Sequence, residues 1–169
     1  YAVRNIRYLR HIAFSIVPQL LLSYIIFLIF PVRIIRPEVL GDSAWDWSLR
    51  LNYFLDLPNN CFPSLHVADS VYLSLVIWHI DKVAGLFLLL ITLLISISTL
   101  FVKAHYILDI TAGAILALLS YWVFIRPYKE TDGTLFRRRT YLAIFVSTYL
   151  VLFLFLYLLY LWNWTPWKN

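Results

Sequence analysis

The sequence has little charge, one cysteine and no methionine. Only 14% of its 169 residues are Asp, Glu, Lys or Arg, against about a quarter in an ordinary soluble domain. With 62% hydrophobic residues and a mean hydropathy of +0.78, that deficit excludes a soluble globular domain. It points to a single integral membrane domain over residues 1–169, with the lipid bilayer as its surroundings. The lone Cys61 excludes an internal disulfide and any cysteine-built metal cluster. A chain that starts at Tyr1 and holds no methionine is expected to lack its native start, and with it one or more upstream helices. No cleavable signal peptide or lipidation signal is expected. The net charge of +5 is not a nucleic-acid signature, because the basic residues gather at the ends of apolar runs. Such clusters set topology and attract anionic headgroups.

What is present is a series of apolar runs, each near the roughly 20 residues a membrane span needs. They cover about 11–30, 63–80, 83–102, 105–124 and 141–161. The expected fold is therefore all-α, a polytopic transmembrane bundle of about five spanning helices. The catalytic core is expected over about 12–124, with an extra C-terminal helix at about 140–163. Pro18 lies inside the first run, Pro31 ends it, and Asp81-Lys82 makes a tight turn after the second. Residues 31–62 form a long connector with turn signals at Gly41-Asp42 and Pro58-Asn59-Asn60. Between them Trp45, Trp47, Leu49, Leu51 and Phe54 alternate with polar residues, which predicts a short amphipathic helix in the interface. Asp46 and Arg50 read as a surface pair there, and Trp162, Trp164 and Trp167 as an interfacial cluster.

Charge sets the expected orientation. Placing Arg4, Arg7 and Arg10 on the cytoplasmic side returns Arg126, Lys129, Arg137, Arg138 and Arg139 to that same side. The 31–62 connector, His66, Lys103 and His105 then gather on the extracytoplasmic face.

The chemistry centres on the seam Thr99–Gly113, TLFVKAHYILDITAG. His105 and Asp109 stand at i and i+4, one face of a helix. A carboxylate there accepts one ring N–H and leaves the other nitrogen basic. In a soluble protein such a pair more often merely satisfies itself. In a membrane, ionisable side chains are costly and mark function. Ser64-Leu65-His66 opens a helix, whose N-terminal amides favour an anion. Arg33 and Arg36 add charge on the connector, and Lys103 at the seam. Two histidines among fixed cations suit phosphoryl transfer without a metal or other cofactor. One attacks phosphorus and the other protonates the leaving oxygen. Asp69 reads as a tuning group for His66 or, equally, as a polar residue near the interface. His11 and His79 read as interfacial. A zinc site of His66, His105 and Asp109 is disfavoured by the neighbouring cations.

Pro63-Ser64-Leu65-His66, followed by His105-x-x-x-Asp109, resembles the type 2 phosphatidic acid phosphatase superfamily. That family carries the motifs Lys-x6-Arg-Pro, Pro-Ser-Gly-His and Ser-Arg-x5-His-x3-Asp. Here Leu65 replaces the glycine, Thr99 replaces the arginine after Ser98, and the first motif is reduced to Arg36-Pro37, with Ile29 at its lysine position. The resemblance covers roughly residues 12–124. It implies that His105 is the nucleophile forming a phosphohistidine, Asp109 its orienting partner and His66 the general acid. It also implies that Arg36, Ser64 and Lys103 bind phosphate oxygens, with Lys103 and Arg33 assigned the work of the two missing cations. The Pro-Ser-Leu-His and His-Tyr-x-x-Asp forms look more like the inositol phosphorylceramide synthase and sphingomyelin synthase branch, whose members transfer a phospho-headgroup to a lipid.

The leading reading is a metal-independent membrane phosphatase acting on a lipid phosphate. A headgroup transferase is the alternative within the class. A non-catalytic transporter or scaffold is the alternative outside it, disfavoured because the charges gather at one face rather than at a midplane site. The sequence names neither the lipid nor an oligomeric state.

Overall fold

A computed structural model describes residues 6–128 and 138–168. Arg4 and the part of the basic loop that holds Lys129 and Arg137 lie outside the described residues. Six α-helices follow in chain order: α1 (Ile6–Ile29), α2 (Ala44–Leu55), α3 (Leu65–Ile80), α4 (Lys82–Phe101), α5 (Ile107–Ser120) and α6 (Arg138–Leu161). A π-helical turn, Tyr121–Ile125, prolongs α5, and a 3-10 turn, Pro166–Lys168, follows α6. No strand occurs among the described residues. The chain divides into two compact units, one of Tyr1–Ile35 with Asn59–Phe136, the other of Arg36–Pro58 with Arg137–Asn169.

In the first unit α3 is the hub, packed on α4 and α5, while α1 touches both α3 and α5. Asp81 does double duty between α3 and α4. It ends α3, and its carboxylate then accepts the Val83 and Ala84 N–H groups, both at 3.0 Å, to start α4. A core of Tyr8, Tyr72, Val76, Ala117 and Ile125 joins the start of α1 to the far ends of α3 and α5. His11 and His79 sit at this end. Their Nε2 atoms lie 2.6 Å from the Phe124 carbonyl and 3.1 Å from the Tyr128 carbonyl. They thus serve the carbonyl-rich end of α5, where a histidine is electrostatically favoured.

Three buried polar residues, Ser15, Gln19 and Ser23, recur every four positions along α1. Ser15 bonds the Tyr72 hydroxyl, and the Gln19 amide donates to Asp69 at 2.9 Å. Between α3 and α4, Ser74 meets Thr92 at 2.9 Å. Such cross-helix bonds hold helices together where lipid offers no hydrophobic drive. The large residues left exposed, Leu28 and Ile29 on α1, Phe101 on α4 and Leu108 on α5, suit contact with lipid tails.

Among the described residues three helical stretches are long and apolar enough to cross a membrane: Tyr8–Ile29, Lys82–Phe101 and Ile107–Ile125. Leu65–Ile80 and Val146–Leu161 are shorter apolar helical stretches. The reason for α3 is at its ends. Pro63 and the Ser64 cap fix its start and Asp81 its stop, leaving 16 residues. At about 1.5 Å per residue that is about 24 Å, short of a hydrocarbon core of about 30 Å.

The second unit is built on α2. Ser43 caps it in a capping box with Asp46: the Asp46 N–H reaches Ser43 Oγ at 3.2 Å, and the Ser43 N–H reaches the carboxylate at 3.0 Å. Those bonds from Ser43 hold the Asp46 carboxyl below its ordinary range. The helix is amphipathic, as its pattern predicts: Trp47 and Leu51 are buried, Trp45 and Leu55 exposed. The Trp47 indole donates to the Trp164 carbonyl at 2.8 Å, and its ring meets Tyr160 and Trp167 edge-on. The expected ion pairing of Arg50 with Asp46 is corrected. Arg50 pairs with Asp42 at 3.4 Å and donates to the Val39 and Gly41 carbonyls, because Asp46 is already spent on the cap.

Candidate active site

The seam begins where α4 stops. Thr99 O receives the Ala104 N–H at 2.9 Å and Leu100 O receives the Lys103 N–H at 3.2 Å, with Lys103 in the left-handed region at φ 53°. This is the Schellman pattern of helix ends. The Thr99 carbonyl also takes the His105 N–H at 3.3 Å, so the reversal itself positions the histidine.

His105 is not on a helix, as the i, i+4 reading required, because α5 starts only at Ile107. It still lies beside Asp109, with Nδ1 3.6 Å from Oδ2. The carboxylate's hydrogen bond goes to the Tyr106 N–H at 2.7 Å, where it caps α5. The ring is held instead by the main chain: Nδ1 lies 3.0 Å from the Cys61 carbonyl oxygen. A carbonyl can only accept, so Nδ1 carries the proton, and the lone pair of the neutral ring is on Nε2. Asp109 then places negative charge beside Nδ1–H, where positive charge grows when Nε2 attacks an electrophile. Both residues are buried, 8% and 3% exposed.

Cys61 is placed from the other side. Its N–H donates to Val32 O at 3.1 Å, next to an isolated antiparallel bridge between Arg33 and Asn59. Ser64 then opens α3. It is fully buried, its hydroxyl accepts the Val67 N–H at 3.4 Å, and its own N–H donates to the Asp109 carbonyl at 3.0 Å. Asp109 therefore ties the α3 start with its backbone and faces His105 with its side chain. Gly113, one turn further along α5, makes this approach possible, since a Cβ there would run into the Ser64 carbonyl oxygen. In consequence His66, exposed in the first turn of α3, brings its ring centroid to 5.8 Å from that of His105, tilted by 66°.

The structure thus brings together His66, His105, Asp109 and Ser64. Lys103 and Arg33 belong to the same unit and are exposed. Arg36 belongs to the other unit, where it pairs with Asp56 at 2.9 Å and lies over the Tyr53 ring. His11 and His79 stand at the opposite end of the first unit. Among the described residues no group of three or more His, Cys, Asp or Glu side chains could hold a metal ion. Sequence reasoning missed the Cys61 carbonyl, which has no side-chain signal. It also missed Gly113, whose signal was there: a glycine inside an apolar helix marks close backbone approach.

A buried imidazole with a defined tautomer, a second imidazole beside it and a carboxylate behind it form a constellation for nucleophilic transfer. The family model described as the PAP2 superfamily matches residues 11–131, a stretch that holds all of these groups. The chain belongs to the PAP2 superfamily. No curated protein and no solved structure matches it. Members of the PAP2 superfamily are phosphatases or phosphotransferases, and the chain has the helical membrane fold of that family.

Proposed function

We propose that this chain is a metal-independent membrane phosphatase that hydrolyses a lipid phosphate through a phosphohistidine. The observation that carries the reading is the Cys61 carbonyl at 3.0 Å from Nδ1 of His105, which aims the lone pair of Nε2 away from the main chain. Nε2 attacks phosphorus and the bond to the leaving oxygen breaks, while His66 gives that oxygen a proton. Water then attacks the phosphohistidine, the P–N bond breaks, and His66 takes a proton from the water. Asp109 offsets the charge on His105 in both steps. Arg33 and Lys103 hold phosphate oxygens, with Ser64 as a further donor. The arginine-rich start supports an extracytoplasmic site, by the preference of basic segments for the cytoplasmic side.

The test is to incubate purified protein with labelled lipid phosphates, with and without an alcohol acceptor. Release of inorganic phosphate, insensitive to chelator and blocked by vanadate, is the expected result. Loss of activity on chelation with recovery on one added metal would overturn metal independence. Activity in sealed right-side-out vesicles towards an impermeant short-chain substrate is expected if the site faces outward. A new phosphodiester formed with the alcohol would select the transferase reading, which Leu65 in place of the family glycine favours.

Lys103 needs a test that separates its charge from its turn. Lys103→Gly suits the left-handed backbone, whereas Lys103→Ala carries about 1 kcal/mol of strain. If the ammonium holds phosphate, the glycine variant keeps wild-type thermal stability but turns over about 10-fold more slowly or worse, the loss of one charge-assisted bond. Unchanged turnover in Lys103→Gly would reduce the residue to a helix stop.

A further inference from the structure

The site described above gives no role to Asp69. Asp69 lies half-buried on α3, one turn beyond His66. Spacing of three puts the two on one helical face. Its hydrogen-bond donor comes from another helix: Gln19 of α1, only 1% exposed, gives its amide to Asp69 at 2.9 Å. A carboxylate only accepts, so the amide nitrogen faces it. The other end of that amide, Gln19 Oε1, is buried without a hydrogen-bond partner. A glutamine serving packing alone would not leave its own acceptor unsatisfied in an apolar surrounding. Fixing a carboxylate accounts for that cost. Asp109 is not available for the same work on His66, since its carboxylate caps Tyr106 and faces His105.

We propose that Gln19 and Asp69 are a positioning pair for His66, holding a fixed negative charge that compensates the charge His66 carries when it acts as acid. The inference rests on the phosphotransfer reading above and extends it, giving each histidine its own carboxylate. The proton leaves His66 for the leaving oxygen as the P–O bond breaks and the bond from Nε2 of His105 to phosphorus forms. It is replaced from the attacking water as the P–N bond breaks.

The test compares two substrates, a short-chain phosphatidic acid, whose alkoxide needs a proton, and p-nitrophenyl phosphate, whose phenolate does not. Asp69→Asn, isosteric and still able to accept from Gln19, is expected to slow the lipid phosphate roughly 10- to 100-fold, the range of acid catalysis. Its loss on p-nitrophenyl phosphate should be several-fold smaller. Gln19→Leu should show the same split more weakly, and Asp69→Glu should recover part of the rate. Equal losses on both substrates, or none on either, would overturn the positioning role. A wild-type protein inert on both would overturn the phosphotransfer reading, and this inference with it.

Discussion

Replacing His105 by alanine should stop turnover, with a loss of about three orders of magnitude or more, as expected when a nucleophile is removed. The ring is 8% exposed and bonds the Cys61 carbonyl, while the residue's place in the turn is held by its own N–H on the Thr99 carbonyl, so the variant should still fold. Brief exposure to labelled substrate should leave an acid-labile, base-stable phosphoenzyme in the wild type and none in His105→Ala. Asp109→Asn is milder because an asparagine oxygen can still accept the Tyr106 N–H. It removes only the charge beside Nδ1, and a drop of about 100-fold is expected. His66→Ala should still accumulate phosphoenzyme from a substrate with a good leaving group, since the first step then needs no acid. Wild-type turnover in His105→Ala would end the proposed mechanism.

Gly113→Ala should be the most damaging single methyl group in the site. Its Cβ meets the Ser64 carbonyl oxygen, a backbone atom that cannot swing aside as a side-chain tip can. Overpacking of this kind costs about 1–3 kcal/mol. The effect on rate should be larger than the effect on stability. Pushing α5 from α3 lengthens the Ser64 N–H bond to the Asp109 carbonyl, now 3.0 Å, and so moves His66 away from His105. A displacement near 1 Å between reacting groups costs about 100-fold in rate. Thermal unfolding in detergent, read beside turnover, measures both. A variant with wild-type melting and wild-type rate would show that the α3–α5 approach tolerates a side chain.

Much of this was legible because membrane helices advertise themselves. Apolar runs marked α1, α4 and α5, and the tight turn at Asp81-Lys82 was read from its place between two such runs. The proximity of His105 and Asp109 was also legible, but through the wrong geometry. Helical spacing predicted a hydrogen-bonded pair on one face, whereas the chain delivers His105 from a turn and Asp109 from a helix start. The partner that holds the ring is a carbonyl, which every residue possesses, so no letter of the sequence could announce it. The positive φ of Lys103 was hidden for a related reason, since glycine or asparagine is the usual signal for that backbone. Arg50 was assigned the carboxylate four residues away. The cap at Ser43 had the stronger claim on Asp46, and local main-chain donors decided the matter. Arg36 was grouped with the site by topology and motif, and its ion pair with Asp56 is a contact between residues 20 positions apart that no periodicity reveals.

The bridge between Arg33 and Asn59, with the bond from Cys61 to Val32, has a consequence for how the protein can change. It closes the chain on itself on either side of residues 36–58, so that excursion is a side branch of the path that leads to His105. Lengthening a closed branch is cheap, about 0.6 kcal/mol for each doubling. Insertions, deletions and wholesale exchange within 36–58 therefore leave the tautomer of the nucleophile untouched.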